Sequence, residues 1–234
     1  MPEIIGRIAL LPYNSEPEGW AFCDGRELPI SENETLFQLL RNTFGGNFDN
    51  FTFALPKLEA PGKCRYAISL TGYYRENVYD GVVSQTMLWV TPEHPRNLIE
   101  CTGQTVPQNQ FMVLRMVLGA RFGAEGKLPD LRDKAPAHCR YLMLGQGNNM
   151  PQVPNLPEGI LGEILLLPTD DVSESLRLCN GDALPKQQYG ALASKLGDRF
   201  GGDAQHFRLP DLRSAAPAKF NYYIRLQGVF LPNS

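Results

Sequence analysis

The sequence contains few of the residues from which metal centres, disulfide frameworks and nucleic-acid surfaces are built. Only three histidines and five cysteines occur among 234 residues, and no two cysteines form a Cys-x-x-Cys motif. Lys and Arg number 22 against 25 Asp and Glu, giving a formal net charge of -3, so no general attraction to a phosphate backbone is expected. We therefore expect no metal, no cofactor and no nucleic-acid partner.

Long hydrophobic runs are also missing. No stretch reaches the roughly 20 apolar residues that span a bilayer, and Glu3 and Arg7 interrupt the apolar N-terminal segment. We therefore expect neither membrane insertion nor a signal peptide. The chain is 43% hydrophobic, with 22 Gly and 19 Pro, which is typical of a globular protein with many short elements.

The few cysteines mark an internal repeat. Cys23, Cys101 and Cys179 are spaced by 78 residues, and 234 is three times 78. Phe-Gly pairs keep the same spacing, beginning at Phe44, Phe122 and Phe200. Self-similarity at a fixed period predicts a repeat architecture. The three predicted copies are residues 1–78, 79–156 and 157–234.

Beyond the Phe-Gly pair the spacing changes but the order of landmarks is kept. Each copy has a Leu-Pro-x-Leu segment and then a proline five residues before a tyrosine; these tyrosines are Tyr66, Tyr141 and Tyr222. Two residues before each tyrosine stand Cys64, Cys139 and Phe220. An exchange of cysteine and phenylalanine at one position predicts a buried apolar site. We therefore expect all five cysteines to be core residues.

Short strands and one helix are predicted in each copy. Apolar runs that end at proline predict buried strands at 8–11 and 164–167, and a further strand is expected around each tyrosine. Leucines four residues apart share a helix face; the pairs are Leu36 and Leu40, Leu114 and Leu118, and Leu192 and Leu196. Ser31 and Glu34 predict a capping box for the first helix. The predicted fold class is α+β, with three tandem small repeats.

The order of these motifs resembles the phage tail collar domain, a family found in short tail fibres of bacteriophages and in related bacterial proteins. The residues that carry the resemblance in the first copy are Gly6-Arg7-Ile8, Gly19-Trp20, Cys23-Asp24-Gly25, Phe44-Gly45-Gly46 and Phe53-Ala54-Leu55-Pro56. The third copy matches except that Leu176 replaces the tryptophan. The second copy is the most diverged, with Ser84 for the first glycine and Ala124 for the last.

The resemblance implies a non-enzymatic structural or adaptor component of a phage tail fibre or baseplate, or of a tail-derived bacterial particle. It also implies trimeric assembly, with one collar domain from each chain around an axis. Because this chain holds three copies, we expect an intramolecular pseudo-trimer equivalent to a trimeric collar. Its expected partners are trimeric tail fibre or baseplate proteins. The expected location is a virion or tail-like particle, after synthesis in the bacterial cytoplasm.

Aromatic residues, with one arginine, are the candidate binding residues. They are Trp20, Tyr73, Tyr74, Arg75, Tyr79, Tyr223 and Phe230. Tyrosine and arginine are enriched at protein interfaces, and the C-terminal aromatic run, with Phe220 and Tyr222, predicts an exposed docking patch. With Trp20, Tyr73 and Tyr74 as candidates for stacking on a sugar, the alternative function is a carbohydrate-binding adhesion module with a surface glycan as partner.

Two polar motifs invite a catalytic interpretation. The acid and base of Asp130-Leu131-Arg132 recur at Asp211 and Arg213, but Lys57 and Glu59 exchange the charges in the first copy. We therefore expect ion pairs that pin turns. His138 and Cys139 are the nearest His/Cys pair in the sequence, but lysine stands at the histidine position in the other two copies. A surface histidine and a core cysteine are expected there.

Overall fold

The computed structural model describes residues 4–73, 78–147, 149–152 and 159–232. The first copy contains β1 (Ile8–Leu11), β2 (Trp20–Phe22), β3 (Glu27–Pro29), α1 (Glu34–Leu40), β4 (Thr52–Ala54) and β5 (Arg65–Ser69). The second contains β6 (Thr86–Trp89), β7 (Leu98–Glu100), α2 (Met112–Leu118) and β8 (Arg140–Leu144). The third contains β9 (Ile164–Leu167), β10 (Leu176–Leu178), β11 (Ala183–Pro185), α3 (Gly190–Leu196), β12 (His206–Arg208) and β13 (Asn221–Arg225). Short strands and one helix in each copy confirm the prediction.

The three copies build the same antiparallel unit. The last strand of each copy lies between the first two: β5 between β1 and β2, β8 between β6 and β7, and β13 between β9 and β10. The tyrosine of each last strand faces the same position of the first strand; the pairs are Leu10 with Tyr66, Leu88 with Tyr141 and Leu166 with Tyr222. The repeat seen in sequence is therefore also a repeat in strand register.

The first strands of the copies, β1, β6 and β9, lie together at the centre of the molecule. Each contacts the other two. Leu10 of β1 pairs with Ile164 of β9, and Leu166 of β9 pairs with Thr86 of β6. The nine strands of the three units thereby form one curled antiparallel sheet. We call β1, β6 and β9 the central strands.

The hydrophobic core runs across the boundaries between copies. One cluster of buried residues contains Leu10 of the first copy, Met143 of the second and Leu192 of the third. A second cluster packs the α1 leucines against Leu88 of β6. The leucine pairs of all three helices are buried, as their spacing predicts. Because the copies share their core, we expect them to unfold together.

The helix α1 begins later than the predicted capping box requires. Ser31 lies in a 3-10 turn over Ile30–Glu32, and Asn33 is the residue before the helix, with no side-chain capping bond. The first helical bond runs from the Phe37 amide to the Asn33 carbonyl. The capping-box prediction is wrong because the extra turn shifts the start of the helix beyond Ser31.

All three helices end at a residue with positive φ. The φ angles are +50° at Gly119 and +56° at Gly197, but Arg41 occupies this position in the first copy with φ +52°. We expect Arg41→Gly to raise the free energy of unfolding by about 1 kcal/mol, because glycine adopts this conformation without strain. Loss of the stacking of Arg41 on Phe37 offsets part of the gain.

The reverse substitution at Gly119 is the matched control. No atom lies within 4 Å of a Cβ added there, so Gly119→Ala tests backbone strain alone and is expected to lower the free energy of unfolding by about 1 kcal/mol. Urea denaturation measures both values. Destabilisation by Arg41→Gly would show that the arginine side chain matters more than the strain.

Candidate functional site

Neighbouring copies contact each other through the loop before the last strand of one copy and the Phe-Gly turn of the next. Between the first and third copies, Lys63 Nζ donates to the Arg199 carbonyl (2.9 Å) and Arg199 Nε donates to the Lys63 carbonyl (2.8 Å). Between the third and second copies, Arg121 Nε donates to the Lys219 carbonyl (2.8 Å) and Lys219 Nζ donates to the Arg121 carbonyl. Both of these reciprocal Lys–Arg contacts join the same two positions of the repeat.

The contact between the second and first copies uses the same positions with different residues. His138 stands in the lysine position, and its ring meets that of Phe44 edge-on, with centroids 5.9 Å apart. Thr43 stands where the arginine would be, and both residues line a cleft of about 430 Å³. His138 is exposed, which confirms the prediction of a surface histidine. Cys139 is half-buried, so the prediction of a core cysteine holds only in part.

Three equivalent tyrosines meet between the central strands. The Tyr66 hydroxyl is hydrogen-bonded to those of Tyr141 and Tyr222, and burial raises the pKa of all three phenols. The tyrosines line a cavity of about 30 Å³ together with residues of all three central strands. Each copy therefore contributes the same side chain to one common cluster.

A buried ion pair also joins the first and third copies. Arg7 Nη1 lies 2.5 Å from Glu163 Oε1, and Arg225 Nε lies 3.6 Å from Glu163 Oε2. The Arg7 guanidinium stacks over the Trp20 ring at 5.0 Å. Trp20 was among the sequence candidates, but Arg7, Glu163 and Arg225 were not. The available signal was that Arg7 and Glu163 are separated by two repeat periods yet carry opposite charges.

Three of the candidate aromatics line one cavity of about 620 Å³; they are Trp20, Tyr73 and Tyr79. Tyr73 is 51% exposed, whereas Trp20 is buried. The half-buried Tyr79 accepts a hydrogen bond from Arg7 Nη1 (3.4 Å). Tyr74 and Arg75 lie outside the described residues. The structure thus brings together part of the predicted set.

The C-terminal aromatic run is mostly internal. Phe220, Tyr222 and Tyr223 are buried, and the Tyr223 hydroxyl donates to the Thr169 carbonyl (2.8 Å). The prediction of an exposed docking patch is therefore wrong for these three residues, because β13 is covered on both faces by its own copy and its neighbours. Phe230 is 50% exposed, with Lys195 Nζ 4.5 Å above its ring.

The Asp-x-Arg motifs of the second and third copies form ion pairs. Arg132 and Arg213 each donate to the aspartate two residues earlier, at 2.6 Å, and these hydrogen bonds lower the pKa of Asp130 and of Asp211 to about 2. The predicted ion pairs are confirmed in the second and third copies. Among the described residues, no group of three or more His, Cys, Asp or Glu could hold a metal ion. Within the same residues, no helix is both long and apolar enough to cross a membrane.

All five cysteines are free thiols, and four are buried, which confirms the core prediction for them. Burial raises the pKa of Cys64 to about 12 and that of the half-buried Cys139 to about 11. Since the thiolate is the nucleophile, we expect the folded protein to react slowly with iodoacetamide at pH 8, and Cys139 to be alkylated first. Peptide mass spectrometry locates the label, and urea-unfolded protein, with all five thiols reactive, is the control. Early labelling of Cys23 would contradict the described burial.

A family model matches each of the three copies. The model described as Phage Tail Collar Domain matches the chain three times, over residues 6–60, 84–136 and 162–217. Comparisons with curated proteins and with solved structures return no match. The matched segments cover more than half of the chain and follow the three copies in order. The chain therefore belongs to the phage tail collar domain family, whose domains are structural components of tail fibres and associate with tail fibre proteins.

Proposed function

We propose that the copies, residues 1–78, 79–156 and 157–234, close into an intramolecular pseudo-threefold ring that serves as a structural adaptor in a phage tail. The observation that carries the proposal is the direction of the contacts. The loop before the last strand of the first copy reaches the third, that of the third reaches the second, and that of the second reaches the first. Head-to-tail contacts form a ring when the last unit returns to the first, and here the third contact returns to the first copy.

The pairs between central strands support the same direction. Leu10 with Ile164, and Leu166 with Thr86, each join the third residue of one central strand to the first residue of another. The cluster of three equivalent tyrosines supports a common axis. Exposed apolar side chains support docking to other tail proteins; Met112 and Met116 lie one turn apart on α2, and Tyr73 and Val229 lie at the 620 Å³ cavity.

Solution mass and shape test the ring. We expect a monomer of 26.1 kDa by light scattering, with a radius of gyration of about 18 Å in small-angle scattering, as for a compact chain of this length. A stable homotrimer, or an extended particle with the copies strung apart, would overturn the ring. Copurification of the tagged protein with tail fibre or baseplate proteins from infected cells tests the adaptor role, and its absence from the particles would overturn that role.

Carbohydrate binding is the second candidate, because the cavity gathers Trp20, Tyr73 and Tyr79. Glycan-array binding that is lost in Tyr73→Ala and kept in Phe51→Ala would support it, since Phe51 is equally aromatic and 74% exposed but does not line the cavity. A wild-type protein that binds no glycan on the array would overturn it. Trp20 is unsuitable for this test because it is buried against Arg7.

A further inference from the structure

The contact between the second and first copies lacks the paired side chains that cross the other two contacts. At those two contacts, long Lys and Arg side chains donate across the boundary in both directions. His138 and Thr43 stand at the same positions here, and no hydrogen bond joins these two described residues. They line the cleft of about 430 Å³ instead, a volume in the range of ligand-binding clefts.

The cleft carries one lysine and no acidic residue. Lys57 lines it together with His138, and the other lining residues are uncharged. The Lys57 stem lies over Gly25, whose added Cβ would be 3.2 Å from the Lys57 Cβ. The equivalent residues of the other copies are Asp130 and Asp211, and each is paired with an arginine. The first copy therefore carries a positive charge at a position that is negative in the other two.

Lys57 forms no ion pair with any acidic residue that the structure describes. Glu59 stands where the other copies have the paired arginine, but it does not bind Lys57. Asp24 faces Lys57 through a backbone bridge, and its carboxylate lies 3.0 Å from Arg26 Nε. Because Lys57 is exposed, its ammonium group is accessible to a carboxylate from another molecule.

Apolar side chains form much of the remaining wall of the cleft. Leu55 is buried, whereas Leu58 and Phe44 are half-buried. Water screens a charge beside such a wall less than one on an open surface, so an ion pair is stronger there. An occupant with one carboxylate and some aliphatic carbon therefore complements the cleft better than a neutral or cationic group.

We propose that the cleft receives an aspartate or glutamate side chain from an acidic segment of another tail protein. The carboxylate would bind Lys57, and the aliphatic part would pack on Leu58 and Phe44. The inference rests on the proposed adaptor function and names the chemistry of its partner. Because Lys57, Thr43 and His138 come together at one of the three contacts, each chain would take one such segment.

A titration of the full chain with two synthetic peptides tests the cleft, followed by nuclear magnetic resonance. One peptide has a single glutamate between leucines, and the other has glutamine in its place. We expect the glutamate peptide to shift the resonances of Phe44, Leu58 and His138, and the glutamine peptide to bind about fivefold more weakly, as for loss of one exposed ion pair. Lys57→Gln should weaken binding of the glutamate peptide by the same factor. Lys127→Gln is the matched control, because Lys127 is exposed but does not line the cleft.

A second variant blocks the cleft without a change of charge. Ala137 is exposed and lines the cleft, so Ala137→Trp should fold and abolish the shifts; if it does not fold, Lys57→Gln decides. The proposal would be overturned by wild-type affinity in either folded variant or by equal binding of the two peptides. Failure of the wild type to bind the glutamate peptide at about 10 mM would also overturn it.

Tail particles from infected cells separate this inference from the adaptor function. We expect Lys57→Glu to be incorporated roughly tenfold less than wild type, because like charges would meet at the cleft, and Lys127→Glu to be incorporated normally. Equal incorporation of both variants would overturn the assignment of the partner to this cleft. Absence of the wild type from the particles would reject the adaptor function, and the peptide titration would still decide whether the cleft binds a carboxylate.

Discussion

Replacing Phe53 with alanine is expected to lower the free energy of unfolding by about 3–5 kcal/mol. The Phe53 side chain has no exposed surface, and its ring lies 5.6 Å from that of Phe37 on α1. Truncation would leave a cavity beneath the helix in addition to the lost burial. Phe51→Ala is the matched control, because Phe51 is 74% exposed and should change the free energy by at most about 0.5 kcal/mol. Urea denaturation that gives equal effects would contradict the described packing.

The same variant tests whether the copies unfold together. Phe53 belongs to the cluster in which the first copy packs on Leu88 and Val90 of the second. We therefore expect calorimetry to show one transition that moves as a whole to lower temperature in Phe53→Ala. Several transitions, of which only one moves, would show that the copies fold separately.

Replacing Gly202 with alanine is expected to lower the free energy of unfolding by about 3 kcal/mol, from strain and steric overlap together. Its φ is +140°, and an added Cβ would lie 2.4 Å from the His206 carbonyl oxygen. The overlap is with backbone, so no side chain can move to relieve it. Gly190→Ala is the control, and it is expected to change the free energy of unfolding in the opposite direction. Gly190 begins α3 with no atom within 4 Å of an added Cβ, so a small stabilisation is expected.

The second copy has a residue other than glycine at this position. It carries Ala124 where the other copies have the second glycine, and its described residues form no counterpart of the small two-stranded sheets β3–β4 and β11–β12. A single bridge between Thr105 and Lys127 stands in its place. If Gly202→Ala were as stable as wild type, the close backbone approach in the third copy would not be the reason for the glycine.

The sequence predicted those elements whose signal is local. The strands at 8–11 and 164–167 were located because buried apolar runs end at proline, and the helices because their leucines share one face. The strands β3, β4, β11 and β12 were missed, since three residues are too few to show a period. Ser31 was misassigned because a 3-10 turn and a helix start with similar residues.

The contacts between copies were beyond the reach of local patterns. Lys63 and Arg199 are 136 residues apart, and neither segment has a local pattern that predicts contact with the other. The C-terminal aromatic run predicted an exposed patch because it holds more aromatic residues than the other copies, whereas Phe220, Tyr222 and Tyr223 are buried. Comparison of equivalent repeat positions could have found Arg7 and Glu163, because their opposite charges stand at one position of the repeat.

The close mutual contact of β1, β6 and β9 has a consequence for self-association. An unpaired strand edge is a template for adding another chain, but each central strand pairs with its own copy on one edge and lies against the other copies on the other. The edges that remain belong to β2, β7 and β10, which are three residues long. Because short edge strands disfavour the addition of another chain, we expect this sheet to resist edge-to-edge association between molecules.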